Sequence, residues 1–82
     1  MIFFTKHARE KFKVLKAHKF SVTRSKVMKT LRDPDHIDRS RFPILIAERG
    51  FDEQRVLRVV YKREGNDITV ITFYPAKRGR YE

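Results

Sequence analysis

The stretch Val56-Leu57-Arg58-Val59-Val60-Tyr61-Lys62, Arg63-Glu64-Gly65-Asn66-Asp67, Ile68-Thr69-Val70-Ile71-Thr72-Phe73-Tyr74 reads as two strands joined by a hairpin turn. β-Branched and aromatic residues fill both arms, and Gly-Asn-Asp supplies the turn. Period two puts Leu57, Val59 and Tyr61 on one face and Arg58, Val60 and Lys62 on the other. The last arm is nearly all apolar or Thr and is expected to lie centrally in the sheet. It ends at Pro75 and runs into Ala76-Lys77-Arg78-Gly79-Arg80-Tyr81-Glu82, which puts cations and an aromatic ring at one rim of that sheet.

Upstream, Ile44-Leu45-Ile46-Ala47-Glu48 reads as a further strand after Pro43, and Arg49-Gly50-Phe51-Asp52-Glu53 as the turn that follows it. His36-Ile37-Asp38 reads as a short strand. Short connections imply antiparallel pairing. Before residue 33 the period changes to that of a helix. Ala8, Phe12 and Leu15 make one apolar stripe, which predicts a helix from about Lys6 to Lys16 with Thr5 as its cap. Val27, Met28 and Leu31 give the buried face of a second helix, from about Arg24 to Leu31, capped by Ser21 or Thr23. Asp33-Pro34-Asp35 ends it with turn chemistry. Ile2-Phe3-Phe4 is a short strand or an apolar lead-in. The expected fold is α+β: two N-terminal helices on one face of a three- to four-stranded antiparallel sheet, in a single domain over residues 1–82.

Composition limits the function classes. The chain is 40% hydrophobic and 12% aromatic, too apolar for a disordered basic tail. With no Cys, thiolate metal sites, cysteine nucleophiles and disulfides are excluded, which fits a cytoplasmic protein. No run approaches a membrane span, and the apolar start is too short for a signal peptide. The net charge is +10, and residues 1–32 carry ten Lys and Arg against Glu10 alone. Ion-pair networks mix both signs, so this imbalance points instead to a polyanion or an acidic protein partner.

Three segments carry a resemblance. Thr5-Lys6-His7-Ala8-Arg9-Glu10-Lys11, Leu31-Arg32-Asp33-Pro34-Asp35 and Ile71-Thr72-Phe73-Tyr74-Pro75-Ala76-Lys77-Arg78-Gly79-Arg80-Tyr81-Glu82 are similar, in that order, to the opening helix, the helix-to-turn element and the basic ending of small prokaryotic domains grouped with the BrnT and RelE-like toxins. The resemblance implies helices packed on an antiparallel sheet. For many relatives it implies an mRNA-cleaving toxin, acting free or on the ribosome, neutralised by an acidic or extended antitoxin.

Metal-independent RNA cleavage needs a base for the 2′-OH, a cation for the crowded phosphate and an acid for the 5′-oxygen. His7, in the first turn of helix one, either serves as base or acid, since the helix N-terminus disfavours imidazolium and favours a neutral ring, or caps and packs beside the sheet. Arg58 either grips phosphate or pairs across strands with Glu48 or Asp38. Glu48 is a second base candidate. Arg80 and Tyr81 are expected at phosphate and base, and Lys11, Lys77 and Arg78 along the RNA backbone. His7, Arg58 and the tail would then line one cleft. His18 and His36 lack a paired spacing, so no metal site and no cofactor are expected. A non-catalytic RNA-binding domain and a module for an acidic partner explain the same charge.

Overall fold

The structure, a computed structural model, describes residues 1–79 of the 82. In chain order the elements are β1 (Ile2–Phe4), α1 (Lys6–Ala17), α2 (Arg24–Arg32), β2 (His36–Asp38), β3 (Ile44–Gly50), β4 (Arg55–Glu64) and β5 (Asp67–Lys77). The fold is α+β, with two helices and one five-stranded mixed sheet of order β1-β5-β4-β3-β2. The expected three or four antiparallel strands are therefore corrected to five. The apolar lead-in Ile2–Phe4 is the added edge strand, and it pairs parallel with β5 from Ile2↔Ile68 to Phe4↔Val70. The middle strand is β4; β5 lies between it and β1.

The helices form where the caps and stripes predict. The Thr5 hydroxyl accepts from Ala8 N, and the Thr23 hydroxyl from Lys26 N. Ala8 and Leu15 of α1 and Val27 of α2 join Leu57, Val59, Val70 and Phe73 in the core, with Phe12, Met28 and Leu31 packed against it. Thr30 is buried as well, and its hydroxyl is satisfied by donating to Lys26 O at 2.8 Å. α1 ends where Lys19 takes a left-handed backbone (φ 66°), which lets Phe20 N reach Leu15 O at 2.8 Å.

Strand β5 continues through Pro75 to Lys77 rather than stopping at the proline. Proline cannot donate to a ladder, so it is tolerated only where one flank has no partner strand. β1 pairs only with Ile68 to Val70, so Pro75 lies beyond its reach while still opposite Leu57 of β4. A register shift interrupts β4–β5: Val60 faces Thr72 and Tyr61 faces Val70, leaving Ile71 as the extra residue. The Thr5 hydroxyl donates to the Ile71 carbonyl at 3.0 Å, and Thr5 N donates to Val70 O at 3.1 Å. One threonine thus caps α1 and satisfies the bulge. Among the described residues no helix is long and apolar enough to cross a membrane.

Thr5→Ala removes both hydroxyl bonds and is expected to cost about 1–2 kcal/mol. Thr5→Ser is expected to recover most of it. Urea unfolding of the two variants measures the difference, and equal stability of Thr5→Ala and wild type would contradict this double role.

Candidate functional site

Cross-strand register assembles one row of side chains on the sheet face turned away from the helices. Val59 and Leu57 face the helical core, so Arg58 between them leaves from the other side. Its partners are Glu48 on β3 and Tyr74 on β5, and Glu48 in turn faces His36 on β2. The row therefore reads His36–Glu48–Arg58–Tyr74. The next row on that face is Asp38–Ile46–Val60–Thr72.

Arg58 is buried, with 3% of its surface exposed. Its Nη1 lies 3.2 Å from Glu48 Oε2, and its Nη2 lies 4.0 Å from Asp38 Oδ2. The guanidinium also stands over the Tyr74 ring, 5.9 Å from its centre. The two carboxylates offered by the sequence as cross-strand partners are both used. His36 is exposed and the Glu48 side chain retains partial access to solvent. A carboxylate and an imidazole directly opposite on adjacent strands have Cβ atoms roughly 5 Å apart, within reach of one substrate group.

Asp38 is held below the ordinary carboxylate value of 3.8 first by hydrogen bonds from Ser40, side chain then backbone, with further help from the charges of Arg58 and His36. Asp52 is lowered likewise, first by the backbone amide of Gln54 and also by Arg55. Asp52 Oδ1 accepts from Gln54 N at 2.8 Å and from Arg55 N at 2.7 Å, which shapes the β3–β4 turn.

The other expected site residues are dispersed. His7 sits exposed in the first turn of α1, on the helical side, so it does not meet Arg58 across a cleft. Lys11 is half-buried on the same helix. Lys77 is exposed at the end of β5, opposite Arg55. Arg78 is drawn to the β3–β4 turn: its Nε donates to Asp52 O at 2.9 Å and its backbone N to Gln54 O at 2.9 Å. A Cβ on Gly50 would come within 2.8 Å of its Nη2, so glycine there leaves room for the guanidinium. Arg80 and Tyr81 lie outside the described residues. His7 and Arg58 thus lie on opposite sides of the sheet rather than across one cleft, and the row around Arg58 includes His36 and Tyr74, which the sequence did not single out. Strand periodicity combined with the β2–β3 pairing was the signal that could have found His36.

Asp33 caps the end of α2, its N–H donating to Lys29 O, and both aspartates also reach across to β3. Arg49 Nη1 donates to Asp33 O at 2.6 Å and to its carboxylate at 3.0 Å, and Gly50 N donates to Asp35 Oδ2 at 2.9 Å. Among the described residues no group of three or more His, Cys, Asp or Glu is placed to hold a metal ion. A cavity of about 480 Å³ lies apart from this chemistry. It lies beside the α1–α2 connection, with Phe12, Phe20 and Val22 in its wall and Lys13, Lys16 and Lys19 at its rim. Its lining includes neither a His nor a carboxylate, so it can bind an anion but offers no acid–base pair.

Glu48→Ala leaves the buried Arg58 charge under-compensated and is expected to destabilise the protein by on the order of 3 kcal/mol. Asp38→Ala, at the longer and more exposed contact, is expected to cost less. Chemical denaturation of both variants checks the order. Asp38 and Asp52 have lowered folded-state values, so their contribution is complete above the unfolded value near 3.8 and is lost as pH falls through the lower folded value. An acid titration of thermal stability is expected to fall below about pH 4, less steeply in the double variant Asp38→Asn, Asp52→Asn.

Comparison of the chain with protein-family models, curated proteins and solved structures finds no match.

Proposed function

We propose that this protein is a metal-independent endoribonuclease of the toxin type, with its chemistry on the His36–Glu48–Arg58–Tyr74 row. The observation that carries this reading is the side-by-side placement of an imidazole, a carboxylate, a guanidinium and a phenol on one sheet face. These groups suffice for the three jobs of RNA cleavage. Glu48, a carboxylate 3.2 Å from the Arg58 guanidinium, takes the proton of the 2′-OH. The 2′-oxygen then attacks phosphorus. As Glu48 gains that proton, its claim on Arg58 weakens, and the guanidinium charge becomes available to the crowded phosphate. His36 as imidazolium gives a proton to the departing 5′-oxygen. The products are a 2′,3′-cyclic phosphate and a free 5′-hydroxyl.

The resemblance of Thr5–Lys11, Leu31–Asp35 and Ile71–Glu82 to BrnT and RelE-like domains supports the toxin setting. In that setting the substrate is mRNA, free or on the ribosome, the compartment is the cytoplasm, and the RelE-like fold is built around the two helices. An acidic antitoxin would meet the cations that α1, α2 and their connection expose: Lys6, Arg9, Lys13, Lys16, Lys19, Arg24, Lys26, Lys29 and Arg32.

A second reading has its own observation. Those cations and the lysine-rimmed cavity lie on the helical side and suit a non-catalytic RNA-binding domain, or a degenerate member that only binds an acidic protein. The first alternative predicts binding that weakens steeply with salt, without product.

Incubation of end-labelled RNA in EDTA separates these readings. Cleavage with a cyclic phosphate end is expected, reduced about 10²- to 10⁴-fold in Glu48→Gln and in His36→Ala, each checked for folding by its melting curve. Binding without cleavage supports the RNA-binding reading. Cleavage that depends on His7 and not on Glu48 moves the chemistry to the helical side and overturns the row.

A further inference from the structure

The β2–β3 connection, Arg39-Ser40-Arg41-Phe42, carries a feature that the row does not use. Phe42 is 77% exposed, the most exposed aromatic side chain among the described residues. Arg39 and Arg41 are exposed beside it. The connection is nonetheless pinned. Ser40 N donates to Asp38 Oδ1 at 2.9 Å, Phe42 N to Arg39 O at 3.1 Å, and Ile44 N to Arg41 O at 3.0 Å. Asp38 is also the carboxylate 4.0 Å from Arg58, so one side chain ties this connection to the proposed site.

We infer that this segment is a nucleotide-binding rim: Phe42 stacks on a base of single-stranded RNA while Arg39 and Arg41 hold the flanking phosphates. The inference rests on the RNA-cleaving reading above and adds the contact that would select the strand next to the scissile phosphate. An exposed ring preceded by two guanidinium groups, Arg41 next to it in the chain and Arg39 three residues before it, supplies the stacking face and the cations that single-strand binding combines. Stacking needs only one ring face, and the pinned backbone spares the ordering cost that a mobile loop would incur. A protein partner fits this segment less well. Protein interfaces bury roughly 800 Å² per side around an apolar centre depleted of charge. Here a single ring follows two like charges, Arg39 and Arg41.

The chain contains no Trp, so Phe42→Trp installs a single fluorescent reporter at this position. The probes are a 2′-O-methyl oligonucleotide, which lacks the attacking hydroxyl and cannot be cut, an abasic oligonucleotide of equal length, and inorganic polyphosphate. Tryptophan emission is expected to be quenched by the first and not by the other two. Phe42→Ala is expected to weaken binding of the 2′-O-methyl strand by about 5- to 100-fold and to leave abasic binding unchanged. Unquenched emission with a bound strand, equal affinity of Phe42→Ala and wild type, or no RNA binding at all each overturns the inference. In the last case the segment faces a protein partner. Quenching without cleavage of natural RNA sinks catalysis alone, whereas cleavage without quenching sinks the Phe42 contact alone.

Discussion

A buried guanidinium in the middle strand constrains the rest of the sheet. Arg58 lies between Leu57 and Val59, both in the helical core, and cannot enter that core without losing its compensation. It is satisfied on the opposite face by Glu48 from β3 and at longer range by Asp38 from β2. A one-residue slip of β3 on β4 would carry Glu48 to the helical side and leave Arg58 facing apolar neighbours. Hydrophobic alternation and charge pairing therefore select the same register. The charge term matters most for β2, because three residues bring little apolar area to hold an edge strand.

The constraint that fixes the register also builds the candidate site. Glu48 must stand next to Arg58 for the sheet to pair, and His36 must stand next to Glu48 once β2 adds to β3. An acid–base pair thus comes from strands assembled for a structural reason. The consequence is that stability and the proposed activity share residues: on that proposal a Glu48 substitution acts on both, and only a fold readout separates them. Thr5 plays the comparable part on the other side of the sheet. It joins the helix layer to the β5 bulge, whose extra residue keeps both Val70 and Phe73 in the core.

Local chemistry made much of this legible in the sequence. The Thr5 and Thr23 caps, the α1 stripe of Ala8, Phe12 and Leu15, and the Gly65-centred hairpin depend on residues a few positions apart. So does the facing of Leu57 and Val59 against Arg58. What the sequence hid was non-local. β1 pairs with β5 across more than sixty residues, and no nearby residue signals a parallel edge. Pro75 read as a stop because its tolerance depends on where β1 ends. The bond from Arg78 to the Asp52 carbonyl was hidden because the two residues are distant in the chain. His7 read as part of the site because an N-terminal helix position is chemically suitable, but helix and Arg58 lie on opposite sides of the sheet. His36 was passed over because its neighbours become known only once the β2–β3 register is known.

The distribution of charge then decides how the two sides of the molecule can divide the work. The excess positive charge sits on the helices, where its long-range field draws polyanions and, at exposed sites, falls off within about 8 Å at physiological salt. The row, counted with Asp38 beside it in the next row, holds one cation, Arg58, against two carboxylates, Glu48 and Asp38. With His36 neutral it repels phosphate. A phosphate brought there must be held by cations around the row. Arg39 and Arg41 follow β2, and Lys62 lies on the same face opposite Ile44, all exposed. For the proposed cleavage this arrangement is useful. On that proposal the rim would bind substrate and product phosphates alike. The compensation between Arg58 and Glu48 changes only as the proton moves, so its contribution appears in the transition state, where a contribution to rate has to appear.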